Sequence, residues 1–231
     1  MHKRREEVGA WLRSAGAVLA KDLRSELRTR YAVNALGMFV VTTIAIVLFS
    51  LGSEGAGADV LAGMLWVVIF FGAMSGLGRS FVAEEERGTA ATLQMMASPS
   101  AVLTGKLAFN LVLALGLNLV IVGLYMLFVA GFRVRAPGVF ACTVVLGSAG
   151  IATASTIIAA IIARAGTKGT LYPVLSFPVL LPLLLTVIRA TRLAAEGAPF
   201  AGAAGEFQVL ISYIGVVGIV SYMLFEHIWK D

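Results

Sequence analysis

The chain has 231 residues, of which 59% are hydrophobic and only 13% charged, with a mean hydropathy of +0.92. That composition excludes an ordinary soluble domain, and a single cysteine, Cys142, excludes a disulfide framework. The net charge of +5 is spread over the termini and the loops between apolar runs, so it is a topology and lipid-headgroup signal rather than a nucleic-acid footprint.

Residues 1–30 are polar, and the first apolar run is too long for the core of a signal peptide, so that run is expected to act as the insertion signal itself. Between residues 8 and 27, Val8, Trp11, Leu12, Ala15, Val18, Leu19, Leu23 and Leu27 recur at helical spacing, with Arg13, Lys21, Arg24 and Arg28 opposite. This predicts an amphipathic helix on an anionic membrane surface, either a topology anchor or a connecting helix that also touches a cytoplasmic partner.

Six nearly charge-free runs follow: Tyr31–Ser53, Val60–Gly78, Leu107–Phe132, Ala136–Ala163, Gly169–Ile188 and Phe207–Phe225. About 20 helical residues cross a hydrocarbon layer about 30 Å thick, and each run approaches that length. None alternates with period two, so the expected fold is an all-α integral membrane protein with six transmembrane helices behind an interfacial helix. Of the 18 Lys and Arg, only Arg133, Arg135, Arg189 and Arg192 fall on the far side, which places both termini in the cytoplasm. The organisation read this way is a connecting helix at 1–30, a transmembrane domain at 31–226 with a cytoplasmic loop at 79–105, and a tail at 227–231.

In the second run, Gly72 and Gly76 make a small-residue face, for packing inside the monomer or for a dimer. Asn110 and Asn118 in the third run lie on similar faces, where interhelical hydrogen bonding accounts for them. Cys142, in the middle of the fourth run, reads as a small packing residue. Pro173, Pro178 and Pro182 punctuate the fifth run and predict a break or hinge, or a rigid kink. The next segment, Arg189–Glu206, reads as the one sizeable outer loop, with Arg192 and Glu196 spaced for an i, i+4 pair. The middles of the spans carry almost no charge, which argues against an ion-coupled transporter or a small-cation channel.

The loop after the second run holds the acidic stretch Glu84–Glu86, then Arg87 and Gly88. A short helix is expected after it, capped by Thr89, with Leu93 and Met96 on one face and Pro99 ending it. A charged, Met-tipped element of this kind suits the groove of another protein. The chain has no Gly-x-x-x-x-Gly-Lys-Ser/Thr loop, and Gly105-Lys106 lacks both the upstream glycine and the following hydroxyl, so any ATP chemistry belongs to another subunit.

The string Arg79-Ser80-Phe81, Glu84, Glu86, Gly88-Thr89 and Gly105-Lys106 resembles the first cytoplasmic loop of the haem exporter B (CcmB) family, the permease subunits of the cytochrome c maturation ABC complex. The proline-punctuated Leu175–Leu185 is similar to that family's fifth helix. The family's usual Leu-Glu after Gly-Thr is Ala90-Ala91 here, and Gly78 stands where a Glu commonly precedes Arg-Ser-Phe.

The resemblance implies an ABC-2/type V exporter-like permease of the bacterial inner membrane, without catalytic residues or a metal. Phe81, Glu84, Glu86, Gly88 and Thr89 would couple it to a separate ABC ATPase, with Leu93 and Met96 as the hydrophobic contact. It further implies a haem-handling membrane protein and a haem chaperone as partners, with ATP and haem bound by those partners. His2 and His227 are near the termini, and Met38, Met64, Met74 and Met126 read as gap-fillers, so this chain is expected to hold no haem itself. An exporter of another amphipathic or lipid-linked substrate, or a non-transporting scaffold, are the alternatives.

Overall fold

A computed structural model describes residues 2–28, 30–51, 56–86, 88–164 and 172–230. Its helices in chain order are α1 (His2–Arg28), α2 (Arg30–Leu51), α3 (Ala58–Leu77), α4 (Arg79–Glu86), α5 (Ala90–Met96), α6 (Pro99–Phe128), α7 (Pro137–Arg164), α8 (Tyr172–Glu196) and α9 (Ala204–Lys230), with a 3₁₀ turn at Phe200–Ala203. No strand occurs among the described residues. Among the described residues, five segments, Ala58–Val82, Pro99–Phe128, Pro137–Arg164, Val174–Glu196 and Phe200–Trp229, are long and apolar enough to cross a membrane, and α2 adds the shorter apolar stretch Leu36–Ser50. The chain is therefore a multi-pass helical membrane protein. Of the expected span limits, Ser53 and Gly169 lie outside the described residues, as do Arg87 and Lys168.

The long helix α7 is the centre of the bundle, packed against α6, α8 and α9 and also touching α3 and α4. Its sequence explains the position. Gly147, Ser148, Gly150, Ala152, Ala154, Ser155 and Thr156 are all buried, and such small residues let neighbouring helices approach closely where no hydrophobic drive separates lipid from protein. A Cβ at Gly147 would lie 2.3 Å from the Trp66 ring, and one at Gly150 would lie 2.5 Å from Leu183. The Trp66 indole, wedged there by α3, donates to the Thr191 hydroxyl of α8 at 2.8 Å.

The two asparagines of α6 tie the same core together, as their faces predicted. Asn110 donates to Thr156 at 2.9 Å and Asn118 donates to Ser148 at 2.8 Å, both hydroxyls on α7. The Gly72–Gly76 face is used within the chain: Gly72 receives Ile121 and Leu117 of α6, and Gly76 receives Leu36 of α2.

The prolines do not break α8. Pro173 falls in its first turn, where a missing N–H leaves no bond unmade, and the helix runs on through Pro178 and Pro182. Nor does α8 stop at Ile188. It continues to Glu196, because Ala190, Thr191 and Ala194 are buried, and it ends at Gly197, whose φ of +88° favours glycine. Most of the expected outer loop is therefore helical, and within it Arg192 pairs with Glu196 at 3.5 Å and with Asp59 of α3 at 3.3 Å.

Residues 99–105, expected as loop, are the first turns of α6: Pro99 begins that helix, while α5 has already ended at Met96. This places Lys106 two turns inside a long helix.

Candidate functional site at the α4–α5 junction

At one end of the bundle, α1, the start of α6, the ends of α7 and α9 and the whole α4–α5 element meet. Gly78, the departure from the resemblance, has a local reason there, since a Cβ at that position would come within 2.9 Å of the Tyr172 ring of α8. Helix α4 turns one face inward, with Ser80, Phe81 and Glu84 buried at helical spacing, and leaves Glu85 and Glu86 exposed.

Glu84 is the hub. Its carboxylate accepts from Lys106 of α6 at 2.9 Å, from the Thr89 hydroxyl at 2.5 Å, and from Lys21 of α1. Lys106, only 1% exposed, also donates to the Ser80 carbonyl at 2.7 Å and pairs with Asp22 of α1 at 2.9 Å. Its ammonium lies 5.4 Å from the centre of the Phe81 ring. Burial alone would raise the Glu84 pKa. The adjacent Lys106 charge and the hydrogen bonds from Lys21, Thr89 and Lys106 outweigh that and hold it at about 2, below its ordinary 4.5. Two lysines and two carboxylates thus form a neutral tetrad that joins three helices.

Backbone geometry builds the rest of the Gly88-Thr89 motif. Gly88 takes a φ of +66°, a left-handed conformation that a side chain would strain, and this swings Thr89 back so that its N–H meets the Glu84 carbonyl at 3.0 Å. Thr89 stands at the N-terminal boundary of α5 as expected, but its hydroxyl is spent on Glu84 rather than on capping that helix.

Beside the tetrad, Phe81 packs on Phe225 and Trp229 of α9 with ring centres 5.5 and 6.0 Å away. The last carbonyls of α9 lack intrahelical donors and are met from two sides. Gln94 of α5 donates to the Trp229 carbonyl at 2.9 Å, while Arg164 of α7 reaches the carbonyls of Ile228 and Trp229 at 3.0 and 3.2 Å.

The residues expected to meet a partner therefore divide. Phe81 and Glu84 do not face outward: they are covered by α1, α6 and α9 and are engaged in aromatic and ionic contacts within the chain. Leu93 is half-buried against the core, so it does not share an open face with Met96. Glu86, Gly88, Thr89 and Met96 are on the surface, and Met95 and Met96 are 81% and 77% exposed. The sequence reading quotes Lys106 only within the loop motif and misses Asp22, Arg164 and Trp229 as members of this site. Two of these residues carried a signal: Asp22 follows Ala15 and Val18 on the buried face of α1, and Lys106 lies between apolar residues of α6.

A profile of the family described as CcmB protein matches residues 13–224, from α1 to α9. The chain belongs to the CcmB family. A relative described as Heme exporter protein B, from Bradyrhizobium diazoefficiens, is 24% identical over 202 residues, covering 87% of this chain and 91% of the relative. The CcmB match takes in every residue of the tetrad and Phe81 of the aromatic contact, while Phe225 and Trp229 fall just beyond it along with Ile228.

Proposed function

We propose that this CcmB-family chain is the permease subunit of an ATP-driven haem-exporter complex in the bacterial cytoplasmic membrane. It crosses six times with both termini cytoplasmic, α2 being the first span, and the α4–α5 element faces the cytoplasm. A separate ABC ATPase docks on the exposed side of that element, through Glu86, Gly88, Thr89 and the Met95–Met96 tip. Phe81, Glu84 and Leu93 act from beneath, holding the element on the bundle so that movement at the tip passes into α6 and α9.

The observation that carries this reading is a two-sided element. Its apolar tip has no cover among the described residues, while its base is fixed by the largely buried tetrad and an aromatic contact. The chain itself performs no catalysis. Haem stays with a haem-handling membrane protein and with a chaperone released on the outer face, and α1 contacts lipid at the inner surface.

Isolation of the complex from native membranes in mild detergent, with every subunit identified by mass spectrometry, tests this. An ATPase together with a haem-handling membrane protein and a haem chaperone is the expected set. An ATPase accompanied by envelope-polymer enzymes would replace haem with another amphipathic substrate. A stoichiometric haem band in the purified chain alone, lost on replacing one Met, Tyr or His, would contradict the assignment of haem to the partners.

A further inference from the structure

Building on that coupling reading, we propose that α1 is a detachable strap over the α4–α6 base, with Lys21 and Asp22 as its positioning residues for the coupling element. The way the four charges divide is what points to it. Lys106 and Glu84, on α6 and α4, form one neutral pair at 2.9 Å. Lys21 and Asp22, neighbours on α1, form a second neutral pair at 3.3 Å. The cross contacts Lys106–Asp22 at 2.9 Å and Lys21–Glu84 join the halves.

Removing one member of a buried ion pair is strongly unfavourable, because the other is left without a counter-charge. Removing α1 as a unit does no such thing. Glu84 keeps Lys106 and Thr89, while Lys21 and Asp22 leave together. The tetrad can therefore open along one line without stranding a charge, and opposite charges across that line draw the strap back.

The rest of the seat is built for the same motion. Ala15 and Val18 rest on Gly105, where an added Cβ would come 2.7 Å from the Ala15 carbonyl and 2.7 Å from the Val18 Cβ. One side-chain hydrogen bond across this contact, Trp11 to Ser100 at 3.1 Å, lies near the surface. The outward side of α1 carries exposed Val8, Leu12, Arg13 and Arg24, an amphipathic edge suited to the membrane interface once the strap lifts. The base behaves differently: Phe81 stays anchored on α9 whether or not α1 is seated.

The test places one buried thiol under the strap. In a Cys142→Ser background, Val18→Cys is labelled with a charged maleimide in native membranes containing the intact complex. Labelling is expected to be slow without nucleotide and about fivefold faster during ATP turnover, as the seat opens. The charge swap Lys21→Glu with Asp22→Lys leaves the net charge of α1 unchanged but opposes like charges across the line, so it should label fast in every nucleotide state. A rate that stays slow throughout turnover in an active complex overturns the strap, as does unchanged protection in the swap variant. Failure of any ATPase to co-isolate with the unmodified chain would instead count against the coupling reading, and labelling of the swap variant then still decides what holds α1 down.

Discussion

The two ends of this bundle are closed by different chemistry. At the end remote from α4 and α5, Phe132 sits between the rings of Tyr125 and Phe140, and the backbone N–H groups of Arg135 and Ala136 donate to the Ala194 carbonyl at the end of α8. Ion pairs there, between Arg192 and Asp59 or Glu196, are about half exposed. At the α4–α5 end, full charges are buried among three helices. Exposed pairs contribute about 0–1 kcal/mol, whereas breaking a buried pair costs about 3–5 kcal/mol. One end tolerates loss of charge and is simply tied shut. The other is a junction whose integrity depends on each charge having its partner.

The sharpest way to break the contrast is Lys106→Met, which leaves the buried carboxylates of Glu84 and Asp22 with Lys21 as their one shared cation in the tetrad. It should cost about 3–5 kcal/mol and lower the detergent-solubilised melting temperature markedly. Retained stability would mean that the tetrad is not a structural unit. Glu84→Gln sharpens the same point through pH. Because the folded pKa of Glu84 is depressed, its contribution is complete above its ordinary 4.5 and is lost as pH falls from there through about 2. A melting curve followed across that window should fall for the native chain, and by less for Glu84→Gln.

A smaller effect on stability, but a large one on assembly, is expected from Met95→Asp with Met96→Asp. Both side chains are exposed, so the melting temperature should move little, while co-isolation of the ATPase should drop. Unchanged co-isolation would remove the tip from the interface. Smallest of all, Arg192→Ala at the remote end should cost less than about 1 kcal/mol.

Much of this architecture could be read from the chain. The apolar runs marked the helices, and the interval of three and four marked α1, because lipid leaves no cheaper way to satisfy a backbone than a helix. Asn110 and Asn118 were read correctly as ties between helices. What escaped was the depth of the junction. Pro99 reads as a stop for α5, but it is the first residue of α6, a position proline also favours, so the helix that holds Lys106 begins well before the expected end of the loop at 105. Once Lys106 is buried, a carboxylate must face it, and Glu84 turns inward to do so. An acidic run in a connecting segment looks solvated unless its counter-charges, here on α1 and α6, are known to be near. The prolines of α8 leave a break and a kink both open in the sequence, and the helix runs on through them because the donors they remove do not stop a helix that packing holds.

The central claim is that the α4–α5 tip carries the contact with a separate ATPase. It is tested most directly by placing a photo-activatable amino acid at position 96 in native membranes and identifying the cross-linked product. The account predicts an adduct with an ABC ATPase subunit that is lost when the probe is moved to the remote end, for example to position 192. Adducts with lipid alone at position 96, in a complex from which the ATPase still co-isolates, would contradict it.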